Sequence, residues 1–425
     1  MGSKKKIAVI GGGVSGISAA LMLHNNYDVE IFEKEHYVGG HTNTIEITEG
    51  ADKGLGVDTG FIVCNNWTYP NFHAMMKKLD VEIRDTCMSF GYHDEVSGFQ
   101  YAGTDLNGLF ADRINLLNPK MYRLLKDVYT FNKNAKKDLE AQRNFDGMTL
   151  KSYLDELKVS DIFIMQYLVP IGGAIWSSSN ATMLDFPASL FLHFFKNHGL
   201  LNILNRPQWQ TVAGGSATYV KKFLKVFKGS VKISSKIEKV SRNETGVIIH
   251  TPEGVFQYDQ VIFATHADQI LPLLENPTSE EITALTPWNY IENHTVLHTD
   301  TSVMPTNKRA WASWNFTKEP EVKDSFPVSV TYDMGRLQGL KTDENYLVTL
   351  NRNQTIDPSK VIREFRYFHP NFDLGTLGTR KAIWNLNGSQ NTFYTGSYMG
   401  YGFHEDAVKS SVDMVNEFFD GESFE

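Results

Sequence analysis

Cysteine is nearly absent from this chain: two residues, Cys64 and Cys87, in 425. No CxxC motif, disulfide framework or cysteine-based zinc site can be built from them, and the scarcity points to a reducing compartment. Long apolar runs are missing too. None approaches the ~18–20 residues that a membrane-spanning helix needs, and Lys4-Lys5-Lys6 precedes only a short apolar stretch. The expectation is a cytoplasmic protein, with peripheral contact at the inner face of a membrane left open. Positive charge is not in excess. The net charge of −8 argues against general affinity for nucleic acid. No metal-ligand spacing, internal repeat or low-complexity tract is evident. What is present is enough apolar matter, 41% of residues, for a large core, and a length that favours two domains.

Residues 7–33 read as one dinucleotide-binding unit. An apolar run, Ile7-Ala-Val-Ile, leads into Gly11-Gly-Gly13-Val14-Ser15-Gly16. An Ala/Leu-rich stretch to Leu23 follows as a helix would, and a second apolar run, Val29 to Phe32, ends in Glu33. Gly11 allows the tight turn, Gly13 lets backbone approach a pyrophosphate, and Gly16 lets helix and strand pack closely. The helix N-terminus then faces phosphate charge, and Glu33 is placed for ribose hydroxyls. A lone GxGxxG is weak evidence; strand, helix and acid in register make it strong.

Beyond Glu33 come Lys34 and a second glycine pair, Gly39-Gly40, followed by His41-Thr42. Val57-Asp-Thr59-Gly60-Phe61 is the next turn-bearing element. This order resembles the flavin-containing amine oxidase and phytoene desaturase superfamily, in which the cofactor is FAD. An Arg usually follows the second glycine pair there; here it is His41. Ile237 falls where that superfamily makes a backbone contact on the adenine side. Gly396-Ser397 and Gly402-Phe403-His404 match the element that closes over the flavin, where helix-start amides stabilise the reduced ring. Ser397 stands where many relatives carry an acid. The resemblance therefore implies FAD contacts from Gly11, Gly13, Val14, Ser15, Gly16, Glu33, Lys34, Gly39, Gly40, His41, Thr42, Thr59, Gly60, Phe61, Ile237, Gly396, Ser397, Gly402, Phe403 and His404.

The expected fold class is α/β, a Rossmann-like FAD-binding domain with an inserted α+β substrate domain. Residues 1–75, 205–290 and 381–425 are assigned to the first, 76–204 and 291–380 to the second. Residues 105–204 read as mainly helical, and strands are expected near 231–264, 295–298 and 328–332.

Further stretches, among them Ala174-Ile-Trp-Ser-Ser-Ser179, Asn197-His-Gly-Leu-Leu201, Ala310-Trp-Ala-Ser-Trp-Asn315 and Gly400-Tyr-Gly-Phe-His-Glu-Asp406, are similar to bacterial FAD-dependent oxidoreductases encoded beside cyclopropane-fatty-acid-synthase-like methyltransferases. That resemblance implies a desaturase or oxidase of methyl-branched unsaturated acyl chains on phospholipid, in methylated furan fatty acid formation. It also implies a lipid methyltransferase as partner. There is no second GxGxxG for NAD(P)H, so electrons are expected to pass from substrate to FAD and on to oxygen or another acceptor. Two rivals stand beside this reading. One is an amine oxidase, with Tyr394 and Tyr398 holding the amine. The other is an FAD-bearing accessory protein of a lipid methyltransferase.

Trp176, Ser177, Tyr398 and His404 are the candidates for the reaction wall and base. Lone histidines such as His193, His198 and His404 are more often structural than catalytic; His404 gains weight from lying in the flavin-closing element, as a neutral imidazole near pH 7. Leu190 to Phe195 reads as core before acyl pocket, and Trp209, Trp311 and Trp314 as core or cavity wall. From Arg113 to Arg143 eight basic residues face three acids, net +5. A solvated helix face explains this slightly better than a surface for anionic lipid head groups.

Overall fold

The computed structural model describes residues 4–320, 323, 326–352 and 354–424. Its nucleotide-side sheet has five parallel strands, in the order Ser230–Lys232, Asp28–Phe32, Lys6–Ile10, Gln260–Phe263 and Thr392–Tyr394. Strand Lys6–Ile10 is apolar after its first residue because both its faces are covered, as parallel sheets require. Helix Val14–Leu23 is buried at all ten positions, between this sheet and the C-terminal helix His404–Phe418. The register aligns Ile10 with Phe32 and Phe263, and Phe263 with Tyr394. Four loops therefore leave one edge of the sheet together: the glycine turn after Ile10, Glu33, Ala264 and Thr395-Gly396. Ligands of open parallel sheets bind at this carboxyl edge.

The second sheet has seven strands, in the order Val361–Pro370, Tyr290–His298, Leu347–Leu350, Ser329–Asp333, Trp314–Lys318, Phe90–Asp94 and Gln100–Ala102. Its pairing is antiparallel except between Trp314–Lys318 and Phe90–Asp94. A helical layer runs from Pro119–Glu140 to Ala188–Asn197. One turn of it, Ile164–Leu168, is a π-helix that leads directly into helix Val169–Trp176. Pro170 accounts for the irregularity. It has no N–H to return to the Gln166 carbonyl. The Tyr101 hydroxyl donates to that carbonyl instead, at 2.7 Å.

A buried ion pair ties the C-terminal strand to its surroundings. Arg242 grips Glu281 with both terminal nitrogens, at 2.5 and 2.9 Å. The Tyr394 hydroxyl donates to the same carboxylate at 2.5 Å. Tyr394 is thus fully buried and spoken for. It does not reach the cavity described next, so the Tyr394–Tyr398 pair of the rival amine-oxidase reading is not formed.

Candidate functional site

The carboxyl edge of the parallel sheet opens into a cavity of about 1970 Å³ that extends to the seven-stranded sheet and the helical layer. Pockets for single drug-sized ligands are typically about 300–1,000 Å³. This one has room for a dinucleotide and a second molecule beside it.

On the nucleotide side the glycines divide by what surrounds them. A Cβ on Gly16 would lie 2.0 Å from the Gly11 carbonyl oxygen, so Gly16 is required by helix-to-turn packing. A Cβ on Gly13 would meet nothing within 4 Å, although Gly13 lines the cavity. The protein itself gives no packing reason for glycine at 13; a ligand pressed against the backbone would. Val14 and Ser15 open the helix beside it, and its first-turn amides face the same space. Glu33 accepts the Gly12 N–H at 2.7 Å and the Glu35 N–H at 2.9 Å. Burial raises its pKa, and these two backbone bonds pull the other way. The remaining lone pairs stay available to a ribose. The chain thus fits a flavin dinucleotide in open cradle, helix start, carboxylate and volume.

Every other expected contact lines the same cavity: Gly11, Lys34, Gly39, Gly40, His41, Thr42, Thr59, Gly60, Phe61, Ile237, Gly396, Ser397, Gly402, Phe403 and His404. Gly16 alone stands behind it, as packing requires. His41 brings no fixed charge in place of an Arg. Burial pushes its pKa down to about 4, and its Nε2 is buried without a partner among the described residues. Around it gather His266, His369 and Tyr367, with ring centres 5.9, 5.3 and 5.1 Å away. Burial pushes His266 and His369 down to about 3. Sequence reading missed this neutral imidazole cluster because its members come from three distant segments.

His404 sits among groups of the nucleotide side. Its ring stacks on Phe61 at 3.7 Å, and its Nε2 lies 3.0 Å from the Thr42 hydroxyl and 3.4 Å from that of Tyr219. All three partners belong to the nucleotide side. Burial, followed by the nearby His41, holds its pKa well below the usual imidazole value. Burial thus favours the neutral imidazole, and His404 lines the cavity. No hydrogen bond or ring contact joins it to Trp176, Ser177 or Tyr398.

The far wall is apolar. The helical layer and its approach contribute Tyr101, Tyr167, Ile171, Ile175, Trp176, Phe194 and Leu200, and no acid. The lining carboxylates, Glu33, Glu35, Glu46, Asp268 and Glu364, lie on the nucleotide segments or on the outer strand Val361–Pro370. Trp176 packs among Phe186, Phe191 and Phe194 and donates its indole N–H to the Tyr401 carbonyl at 3.1 Å. It is wall, not reagent. Ser177 ends that helix in a left-handed conformation, φ 51°. Tyr398 is 1% exposed, and its hydroxyl has no partner among the described residues. Of the Leu190–Phe195 run only Phe194 lines the cavity; the other apolar members are core. Trp209 and Trp314 are wall, whereas Trp311 turns away and donates to the Pro305 carbonyl. His193 bonds the Ser189 carbonyl of its own helix, and His198 stacks on Phe194 at 3.8 Å. Among the described residues no group of His, Cys, Asp and Glu is arranged to hold a metal ion.

Comparison with known proteins agrees with this geometry. The family model described as flavin containing amine oxidoreductase matches residues 14–352. The chain is 47% identical over 55 residues to the 4,4'-diaponeurosporene oxygenase of Staphylococcus haemolyticus, a match covering 13% of this chain and 11% of that one. The chain spans less than half the length of the curated relatives it matches. Among solved structures it superposes on the CLA-producing fatty acid isomerase from P. acnes with a TM-score of 0.71, at 15% identity, covering 99% of this chain and 100% of that one. Putrescine oxidase bound to putrescine gives 0.67 at 14% identity, covering 97% and 98%. At such identities the likeness is one of fold.

Proposed function

The chain belongs to the flavin-containing amine oxidoreductases, and from that premise we propose that this FAD-dependent oxidoreductase desaturates a methyl-branched, unsaturated fatty acyl chain. The observation that carries the acyl reading is the far wall: seven apolar or aromatic side chains and no carboxylate to receive a cationic amine. A phospholipid-borne chain, modified beforehand by a lipid methyltransferase, suits such a wall and the formation of methylated furan fatty acids.

Bound FAD would supply a two-electron acceptor for a hydride, with oxygen or another acceptor as the final oxidant. The substrate loses that hydride and one proton and becomes a conjugated diene. Trp176 and its phenylalanine neighbours exclude water and hold the chain flat. Tyr398 lines the cavity with its hydroxyl buried and unpartnered, and burial keeps that hydroxyl protonated.

Anaerobic mixing of the FAD-loaded protein with methyl-branched unsaturated phospholipid should bleach the flavin, and NADPH alone should not. Bleaching by amines in place of lipid would make the protein an amine oxidase. A flavin that stays bound and is bleached by neither would make it an accessory protein.

A further inference from the structure

Between residues 106 and 133 the surface combines two features that seldom coincide. Leu106, Ile114 and Leu117 are 74, 78 and 86% exposed, with Leu116, Tyr122 and Tyr129 about half exposed beside them. Arg113, Lys120, Arg123, Lys126 and Lys133 are exposed in the same stretch. Hydrogen bonds tie down the turns beside the apolar residues. The Tyr122 hydroxyl donates to the Leu116 carbonyl at 2.7 Å, and Arg113 donates to the Phe110 carbonyl at 2.7 Å and to the Asn107 side chain at 2.9 Å. The acids of this stretch are engaged within the protein. Asp105 caps the Gly108 N–H, Asp112 accepts from Asn307, and Asp127 pairs with Arg123 at 2.9 Å. Lys120, Lys126 and Lys133 form no ion pair among the described residues. Along helix Pro119–Glu140, Tyr122, Lys126, Tyr129 and Lys133 succeed one another at steps of four, three and four, so tyrosine and lysine alternate along one outer stripe.

We propose that this face docks on an anionic lipid membrane, with Leu106, Ile114 and Leu117 inserted among the acyl chains and the lysines among the head groups. Aromatic rings and long basic side chains suit the membrane–water boundary. Nucleic acid would use the charges but would leave three aliphatic side chains in water. A second copy meeting this face about a two-fold axis would set basic residues against basic residues. The face also adjoins the cavity in the chain. Tyr101 and Gly103 line the cavity, three to five residues before Leu106, and Tyr101 is bonded to the π-turn that carries lining residue Tyr167. The docked face would present the substrate side of the cavity to the lipid. Only that purpose rests on the acyl reading; the docking itself does not.

The test is co-sedimentation of FAD-loaded protein with phosphatidylcholine vesicles, with and without about a third phosphatidylglycerol, at low and high salt. Binding is expected only with the anionic lipid and is expected to weaken with salt. Lys120→Gln with Lys126→Gln should weaken it about 25-fold, roughly fivefold per lysine. Ile114→Ser with Leu117→Ser should weaken it tenfold or more. An unchanged flavin spectrum shows that each variant is folded. Absence of binding to anionic vesicles at low salt would overturn the proposal. So would binding indifferent to both double variants, retention by single-stranded RNA in place of vesicles, or a dimer that Ile114→Ser with Leu117→Ser dissolves. None of these outcomes depends on which substrate bleaches the flavin, so this proposal and the acyl reading fail separately.

Discussion

The two walls of the cavity are specified by different kinds of chemistry. The nucleotide wall is built from backbone: a glycine turn, helix-start amides and loops brought level by strand register. The far wall is built from side chains of the helical layer, with Trp176 seated among three phenylalanines. Backbone recognition suits a cofactor whose shape never changes. Side-chain packing lets one fold accept different substrates, as the likeness to both a fatty acid isomerase and putrescine oxidase illustrates.

The sharpest way to break the comparison lies in two glycines of the nucleotide wall. Gly16→Val would force a side chain into the Gly11 carbonyl, at 2.0 Å from its first carbon, and should abolish soluble protein. Gly13→Val places its first carbon in open space and should leave a folded but colourless protein. Circular dichroism and flavin absorbance separate the two results. Full FAD occupancy in Gly13→Val would move the phosphate site elsewhere.

A smaller effect comes from acid. His41 and His198 are pushed down to about 4, and His266 and His369 to about 3, all chiefly by burial. Unfolded imidazoles take up protons below about pH 6.5, and these folded ones do not. The stability they lend is present above about pH 6.5 and is lost as the pH falls toward 4. Buried Asp58 and Asp406, raised to about 6 and about 7, act in the opposite direction and gain stability as acid is added. His24, His93, His298 and His404 are lowered as well, and Glu33, Asp268, Asp333 and Glu405 are raised, so eight imidazoles oppose six carboxyls and leave a net loss on the order of 3 kcal/mol per pH unit at its steepest. Urea midpoints of the cofactor-free protein should show it. A flat profile would mean that the imidazoles are already solvated.

The smallest effect sharpens the assignment of His404. If it positions the cofactor, His404→Gln should weaken FAD binding about fivefold, the worth of one hydrogen bond. It should leave the rate of anaerobic reduction and its pH profile nearly unchanged. A rate loss of about 10²-fold or more with FAD fully bound would restore it as the base.

The nucleotide wall was the legible one. Gly11, Gly13, Gly16 and Glu33 lie within one short segment, and local signals of turn, helix and strand agree there. Strand Gln260–Phe263 was equally plain, because its apolar run has the length of a buried strand. The far wall was not legible, because helical periodicity shows that a residue is buried without showing whether it faces a core or a cavity. Phe191 and Phe194 sit three residues apart, and only Phe194 reaches the cavity. Tyr394 looked like a substrate contact and is a buried partner of Glu281. The imidazole cluster and the Tyr101–Gln166 contact depend on residues far apart in sequence, which no local pattern can join.

The order of strands in the parallel sheet bears on how the protein is made. Lys6–Ile10 and Asp28–Phe32 are made before the strands that flank them at residues 230–232 and 260–263, and the sheet's far edge, paired to the latter, lies at 392–394. The earliest apolar segments must wait for almost the whole chain before the sheet is complete. Parallel pairings at such separation form slowly and leave edges open meanwhile. During synthesis the helical layer can condense while the nucleotide half is unfinished. Truncation before Thr392 should therefore cost the newborn protein both its last sheet edge and any capacity to retain flavin.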